Sequence, residues 1–314
     1  MKIVLSGSIA FDYLMSFPGL FSDHFMPDKL DRISVSFLVD SLKKQRGGCA
    51  ANIAYSLALL GETPLLLGAV GEDFTEYRES LEKSGVDVSG ATEFSKTYTA
   101  SFFANTDQSG NQISSFYTGA MQYANELSIR DWVSDPKETL VVVSPNDPAA
   151  MQKHVSECQD LEVPYIYDPS QQIVRLEGQT LKECAKGAKI LIFNDYELEL
   201  FKKKTGLTET ELLGLAETVI VTLGDQGAVI HTQEEQIEIP VAKPDRINDP
   251  TGVGDAFRAG LIKGLKMNLP WADTGRIASL AAAYVLETDG PQSHQYTWEQ
   301  FKERYQSVFN GYRL

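Results

Sequence analysis

The order of apolar and polar positions predicts a parallel sheet interrupted by two segments of a different character. Residues 2–5 are a short apolar run closed by Ser6-Gly7-Ser8, the pattern of a buried parallel strand with a polar loop at its carboxyl end. Residues 49–60 form a small-residue helix that Gly61 terminates. Its alanines predict close packing against a sheet. A strand over 64–70 and an amphipathic helix over 72–84, stopped by Gly85, come next. From residue 140 the pattern alternates. Strands are predicted at 140–143, 165–167, 190–193, 218–224 and 227–230, and helices at 148–160, 179–186, from Asn194, at 253–267, 271–286 and 297–309. Such alternation predicts an α/β fold on a parallel sheet.

The first interruption, residues 11–46, has no helical period. It holds Phe17-Pro18-Gly19 and Pro27, and it alternates over 33–39, as an exposed antiparallel strand would. The second alternates over 97–103 and 113–117 around the polar turn Thr106-Asp107-Gln108-Ser109-Gly110-Asn111, which predicts a hairpin. If the two inserts meet in space, they form one small antiparallel sheet over the main body. The chain shows no internal repeat and no low-complexity linker.

Composition narrows the function. A chain of 314 residues suits one large α/β domain with an appendage. Its net charge of −15 disfavours a nucleic-acid partner, which would call for a basic face. Acidity leaves room for a nucleotide pocket, where a few N–H groups and one metal do the local work. Cys49, Cys158 and Cys184 are distant and odd in number, as expected of small core residues in a reduced, cytoplasmic protein. The four histidines have no metal-ligand spacing. The first apolar run is too short for a signal peptide, and no stretch has the length of a membrane span. The expectation is a soluble cytoplasmic protein with no membrane partner.

The chemistry concentrates in Asp249-Pro250-Thr251-Gly252-Val253-Gly254-Asp255-Ala256. It reads as a glycine turn that opens a helix. Gly252 and Gly254 leave backbone N–H groups uncovered, which favours an anion such as phosphate. Asp255 beside those donors is either an acidic residue that suits the helix dipole or a base that takes a proton from an attacking hydroxyl. No Walker A string and no GxGxxG after the first strand occur. Asn194 and Glu197 stand three apart at a strand-to-helix junction. They make a capping box, or they hold a hydrated Mg²⁺ beside phosphate oxygens. Thr222-Leu223-Gly224 with Gly227 is a ligand loop or a hairpin turn. Asp12 is a substrate-binding carboxylate or a loop cap. Gly47-Gly48 is a hinge or a turn, and Asn52 is a ligand or a buried hydrogen-bonded residue. Phe102 and Phe116 are core aromatics of the small sheet or stack on a base.

Taken together, Gly47-Gly48 with Asn52 and Leu60-Gly61, the 249–255 stretch, Asn194 to Glu197, and Thr222 to Gly227 resemble the signatures of the ribokinase-like (PfkB) sugar and nucleoside kinases, in that family's order and over nearly the whole chain. The resemblance implies a doubly wound sheet with helices on both faces, built from residues 1–10, 47–95 and 121–314, and a small β lid from 11–46 and 96–120. It implies Asp255 as the base, with the N–H groups of Gly252, Val253 and Gly254 on the transferring phosphoryl group. Asn194 and Glu197 would organise Mg²⁺ through water, and Thr222, Gly224 and Gly227 would border ATP. A K⁺ site near Asp249, Thr251 and Gly290 is also implied. Ser36-Phe37-Leu38-Val39-Asp40, Ser115-Phe116-Tyr117, Asp168-Pro169-Ser170-Gln171-Gln172 and Asn194-Asp195-Tyr196-Glu197 are similar to bacterial adenosine kinases of the mycobacterial type. That similarity implies phosphorylation of the adenosine 5′-hydroxyl to give AMP, and a homodimer joined through the lids. Asp12 would grip the ribose hydroxyls with Gly48 and Asn52. Ser8 and Ser36 would line the base pocket, Phe102 and Phe116 would cover the base, and Gln172 would add a polar contact. A family sugar kinase for ribose or fructose, a kinase for another nucleoside, and a ligand-binding regulator on an inactive kinase scaffold are the alternatives. The last should have lost the base or the anion hole, and Asp255 with both glycines is intact.

Overall fold

The computed structural model describes residues 1–25 and 32–309. In chain order its strands are β1 (Lys2–Ser6), β2 (Ala10–Ser16), β3 (Ser41–Gly47), β4 (Leu65–Val70), β5 (Ala91–Glu93), β6 (Ala100–Thr106), β7 (Gln112–Tyr117), β8 (Thr139–Val143), β9 (Tyr165–Tyr167), β10 (Ala188–Asn194), β11 (Ala216–Thr222), β12 (Ala228–Thr232) and β13 (Gln236–Ile239). The helices are α1 (Cys49–Leu59), α2 (Thr75–Ser84), α3 (Pro148–Asp160), α4 (Gly178–Ala185), α5 (Asp195–Thr205), α6 (Glu209–Leu212), α7 (Val253–Lys266), α8 (Trp271–Leu286) and α9 (Trp298–Val308).

Burial along β1 explains the layers. Ile3 and Leu5 enter one apolar layer and Val4 the other. A strand covered on both faces has no polar alternation, which is why its run reads as continuously apolar. The first layer also takes apolar residues of α1, α2, α7, α8 and α9, and the second those of α3, α4 and α5. The large sheet has the order β13-β12-β11-β10-β9-β8-β1-β4-β5. It is parallel from β11 to β5, with β12 and β13 antiparallel at one edge. The chain runs outward from β1 to β4 and β5, then returns to β8 on the other side of β1. The crevice at such a switch point is where open α/β sheets bind ligands. No helix among the described residues is long and apolar enough to cross a membrane.

The second sheet has the order β3-β2-β6-β7. Two expectations need correction. It is mixed rather than antiparallel, because β2 and β6 run parallel, with Ala10 beside Ala100 and Ser16 beside Thr106. Both strands leave the large body at the same place, so they must point the same way. The alternating stretch 33–39 is also not a strand. The strand that pairs with β2 is β3, over Ser41–Gly47. The apolar positions in 33–39 serve another contact: Phe37 packs edge-on against Phe17 and Phe21. Residues 26–31 of the expected lid, Pro27 included, lie outside the described residues. The short strands β5 and β13 carried too little pattern to be predicted.

Candidate active site

The carboxyl ends of β1, β8, β9, β10 and β11 face one cleft, and α1 and α7 begin in it. Gly252 precedes α7 with φ 80° and ψ 1°. A Cβ there would also lie 2.3 Å from Pro291 Cβ, so both backbone and space demand glycine. No side chain caps α7, whereas Asp147 caps α3 and the Asn194–Glu197 box caps α5. Val253 N–H turns back to the Pro250 carbonyl at 3.3 Å. The next first-turn N–H groups have no acceptor within the helix and stay open to an anion.

α1 starts under a similar constraint. Gly48 has φ 93°, and a Cβ would sit 2.6 Å from the Ser8 carbonyl oxygen. Ser8 Oγ accepts the Cys49 N–H at 3.0 Å. One turn on, Asn52 Nδ2 donates to Asp255 Oδ2 at 2.8 Å, and Asn52 Oδ1 accepts from Gln292 Nε2 at 2.9 Å. Gln292 also donates to the Tyr77 hydroxyl, which donates to the Gly47 carbonyl at 2.8 Å. A hydrogen-bonded chain therefore orients the Asp255 carboxylate. Burial pushes that carboxyl from 3.8 up to about 6, against the pull of Arg258 and Asn52. A carboxylate poised there is ionised at neutral pH yet basic enough to accept a proton.

Arg258 lies one turn beyond Asp255. Its Nη2 donates to Asp168 Oδ1 at 2.7 Å, and its Nη1 to the Gly254 carbonyl at 2.9 Å. Arg258 and Asp168 are both buried, Asp168 to 1% exposure. Burial opposes the Arg258 charge, but Asp168 more than offsets it and holds the guanidinium protonated. Asp12, on β2, is pushed up to about 6 by burial and then by the negative charge of Asp249.

Three cavities adjoin. The first, about 500 Å³, takes Asp12, Phe102 and Phe116 from the small sheet and Ser8, Gly48, Asn52 and Gln172 from the large body. Phe102 and Phe116 are direct cross-strand partners. The second, about 250 Å³, is lined by Asn194, Glu197, Thr222, Gly254 and Arg258. Gly252 and Asp255 border both of these. The third, about 350 Å³, joins the second at Thr222 and Gly254 and runs past Gly224 and Gly227 into an apolar slot of Val253, Phe257 and Leu286. The track thus passes from aromatic and polar, through polar and glycine-lined, to apolar, with Asp255 between the first two.

Of the residues predicted for substrate, phosphate and nucleotide, only Ser36 is left outside, and of those implied for K⁺ Asp249 and Gly290 line none of the three cavities. Ser36 is exposed on the extended segment before β3 and lines none of these cavities. The core reading of Phe116 fails, since that ring is 51% exposed. Asn194 and Glu197 form the capping box, and both also line the second cavity. Asn52 is likewise both buried and cavity-lining. Cys158 and Cys184 are buried free thiols, but Cys49 is a half-buried wall residue shared by the first two cavities rather than a core residue. Its position after Gly47-Gly48 was the available signal. Arg258, Asp168 and Gln292 were missed. Spacing three beyond Asp255 pointed to Arg258; nothing local pointed to Gln292.

Such a fold with such a site is that of the ribokinase-like kinases, phosphotransferases whose acceptor is an alcohol group. The chain belongs to the pfkB family of carbohydrate kinases, whose model matches residues 20–298. It is similar to the Burkholderia thailandensis nucleoside kinase solved in complex with inosine, at 34% identity and a TM-score of 0.88, covering 100% of this chain and 99% of that one. The Methanocaldococcus jannaschii nucleoside kinase is 28% identical over 96% of each chain. The cytidine kinase of Thermococcus kodakarensis is 26% identical over 79% of this chain and 90% of its own.

Proposed function

We propose that this chain is an ATP-dependent nucleoside kinase acting on the 5′-hydroxyl of a purine nucleoside, with adenosine, converted to AMP, as the expected substrate. The observation that carries the reading is the first cavity. It has a carboxylate at each of two stations, Asp12 and Asp255, and a pair of half-open aromatic rings, Phe102 and Phe116. A carboxylate suits a vicinal diol, and aromatic faces suit a planar base. A free sugar would leave both rings uncovered. Gln172 Oε1 is buried without a partner, an acceptor for an amino or ring N–H group of a purine. The inosine complex of the B. thailandensis kinase supports the same class.

In this reading Asp12, with Gly48 and Asn52, holds the ribose so that its 5′-oxygen lies beside Asp255. Ser8 borders the sugar and the base. Asp255 accepts the hydroxyl proton as that oxygen bonds to the γ-phosphorus, and the bond to the leaving ADP oxygen breaks. The N–H groups of Gly252, Gly254 and Asp255, but not that of Val253, which is spent on the Pro250 carbonyl, and the Arg258 guanidinium balance the charge on the transferring group. Thr222, Gly224 and Gly227 border the nucleotide, whose base occupies the apolar slot. Among the described residues no three His, Cys, Asp or Glu side chains converge as a metal cage. Asn194 and Glu197 fit a Mg²⁺ ion held through water and phosphate oxygens. When bound, the ion neutralises triphosphate charge.

Asp249 accepts from the Thr251 and Gly290 N–H groups at 2.9 and 3.0 Å, which supports the expected K⁺ locus at that loop pair. Exposed Leu42, Ile113 and Tyr117 on the small sheet support a lid-to-lid homodimer. Dependence on ATP agrees with a cytoplasmic setting. The test is ADP release with a panel of adenosine, inosine, guanosine, cytidine, ribose and fructose. Purine nucleosides should lead. Turnover of a free sugar with none of any nucleoside sinks the proposal.

A further inference from the structure

The turn after β9, Asp168-Pro169-Ser170-Gln171-Gln172, holds Arg258 through Asp168 and borders the first cavity through Gln172. Its middle residue has an unusual conformation. Four non-glycine residues among the described ones have positive φ: Lys96, Glu162, Ser170 and Asn268. Glu162 and Asn268 stand just past the ends of α3 and α7, where left-handed backbone is ordinary. Ser170, at φ 39°, follows a strand, and it alone of the four lines a cavity of the site. A serine in that region is strained and persists only where its surroundings hold it. Lys204 supplies the hold. Its ammonium donates to the carbonyls of Ile173, Val174 and Leu176 at 2.8, 2.7 and 2.7 Å, which ties down the 3₁₀ turn over Ser170–Val174.

The strained backbone aims a hydroxyl. Ser170 Oγ donates to Glu197 Oε1 at 2.9 Å, and Glu197 Oε2 accepts the Asn194 N–H at 2.9 Å. A capping box does not need the first of these bonds. In the box that opens α6, Glu211 takes the N–H and the hydroxyl of Thr208 on one and the same oxygen. A single bond leaves a carboxylate free to swivel about it, whereas a bond at each oxygen fixes its plane. Ser170 Oγ also stands 2.9 Å from Gln171 Oε1, and the hydroxyl has one proton for the two acceptors. Turned by half a revolution, the Gln171 amide offers Nε2 to Ser170 Oγ, and the hydroxyl proton goes to Glu197. Ser170, Gln171 and Glu197 line the second cavity together. Arg258, the cation in that cavity, is committed to Gly254 and Asp168.

We propose that Ser170 is a positioning residue for metal–triphosphate binding. Its left-handed backbone holds the hydroxyl on Glu197, and the carboxylate so fixed presents its free lone pairs to the water shell of a bound Mg²⁺ in one orientation. The inference rests on the reading of Glu197 as the carboxylate that organises Mg²⁺ through water, and is independent of which nucleoside is the acceptor. Partners that orient a metal-organising carboxylate without touching the metal commonly carry about ten- to a hundredfold in affinity.

The test is titration calorimetry of a non-hydrolysable ATP analogue, with and without Mg²⁺, into the full chain. The quantity read is the gain in affinity that Mg²⁺ brings. Ser170→Gly removes the hydroxyl and suits φ 39°. It should lose about tenfold or more of that gain, bind the metal-free analogue as the wild type does, and melt no lower than the wild type. Glu197→Gln keeps a side-chain oxygen for the capping box and should lose the gain by itself; adding Ser170→Gly to it should change nothing further. An equal gain in wild type and Ser170→Gly, an equal loss with and without Mg²⁺, a lowered melting temperature accompanying the loss, or additive losses in the double variant overturns the proposal. A wild type that gains nothing from Mg²⁺, or a Glu197→Gln variant that gains as much as the wild type, overturns it through the metal assignment. No acceptor is present in the cell, so a failure here is distinct from a failure of the nucleoside-kinase reading, which the ADP-release panel decides.

Discussion

Replacing Asp255 with Asn separates catalysis from stability. The amide is nearly isosteric and can turn its oxygen to Asn52 Nδ2, so the 2.8 Å contact survives. What disappears is the proton acceptor and a buried charge. The folded carboxyl is raised from 3.8 to about 6, so its ionised form is disfavoured in the fold. That cost is absent below the unfolded value, grows between the two, and is complete above about 6. In full it is about 3 kcal/mol, reduced to about 2 kcal/mol by the side chain's partial exposure. Asp255→Asn should therefore be as stable as the wild type at neutral pH, or more so. Loss of a placed base should cost ~10²–10⁴ in kcat, or about 3–5 kcal/mol of barrier, with little change in KM. Coupled ADP-release kinetics and urea unfolding measure the two effects on one preparation. A kcat within threefold of the wild type refutes the base assignment. A lost activity accompanied by a lowered unfolding midpoint refutes the account of Asp255 as a destabilised group.

The other expectations rest on the same cleft. Arg258→Met should strand Asp168 in the interior and cost about 3–5 kcal/mol, recovered in large part by adding Asp168→Leu; urea unfolding of the single and double variants decides, and equal midpoints for wild type and Arg258→Met refute the pair's role. Asp12 must be ionised to hold a diol, so KM for the nucleoside should rise as pH falls through about 6; Asp12→Asn should start with a KM raised about 10–100-fold and lose that pH dependence. Phe116→Ala should weaken nucleoside binding by about 1–3 kcal/mol while leaving KM for ATP unchanged; parallel KM measurements for both substrates show whether the ring serves the base.

Most of the large domain was legible because each element carries its own signal. The apolar runs of β8 and β10, the Gly61 and Gly85 stops, and the limits of α3 and α8 are local facts of sequence. The lid was harder. Alternation over 33–39 imitated a strand, but its aromatic residue packs on Phe17 and Phe21, while the real strand β3 is polar and nearly all exposed. Edge strands with one wet face carry weak patterns, and their pairing depends on what lies beside them. The glycine turn with Asp255, the capping box with Glu197, and Asp12 were visible as chemistry waiting for a partner.

What the sequence determined alone is the set of parts: a parallel α/β body, a glycine turn that opens a helix, and the carboxylates Asp12 and Asp255. Those properties follow from backbone freedom, hydrophobic period and residue type, which act over a few residues. The tertiary structure alone decided which parts meet. It joined Asn52 to Asp255 and Gln292 across more than two hundred residues of chain, buried Arg258 on Asp168, and left Ser36 outside the pocket. Burial and charge neighbours set a carboxyl at about 6 rather than 3.8, and both are properties of assembled space.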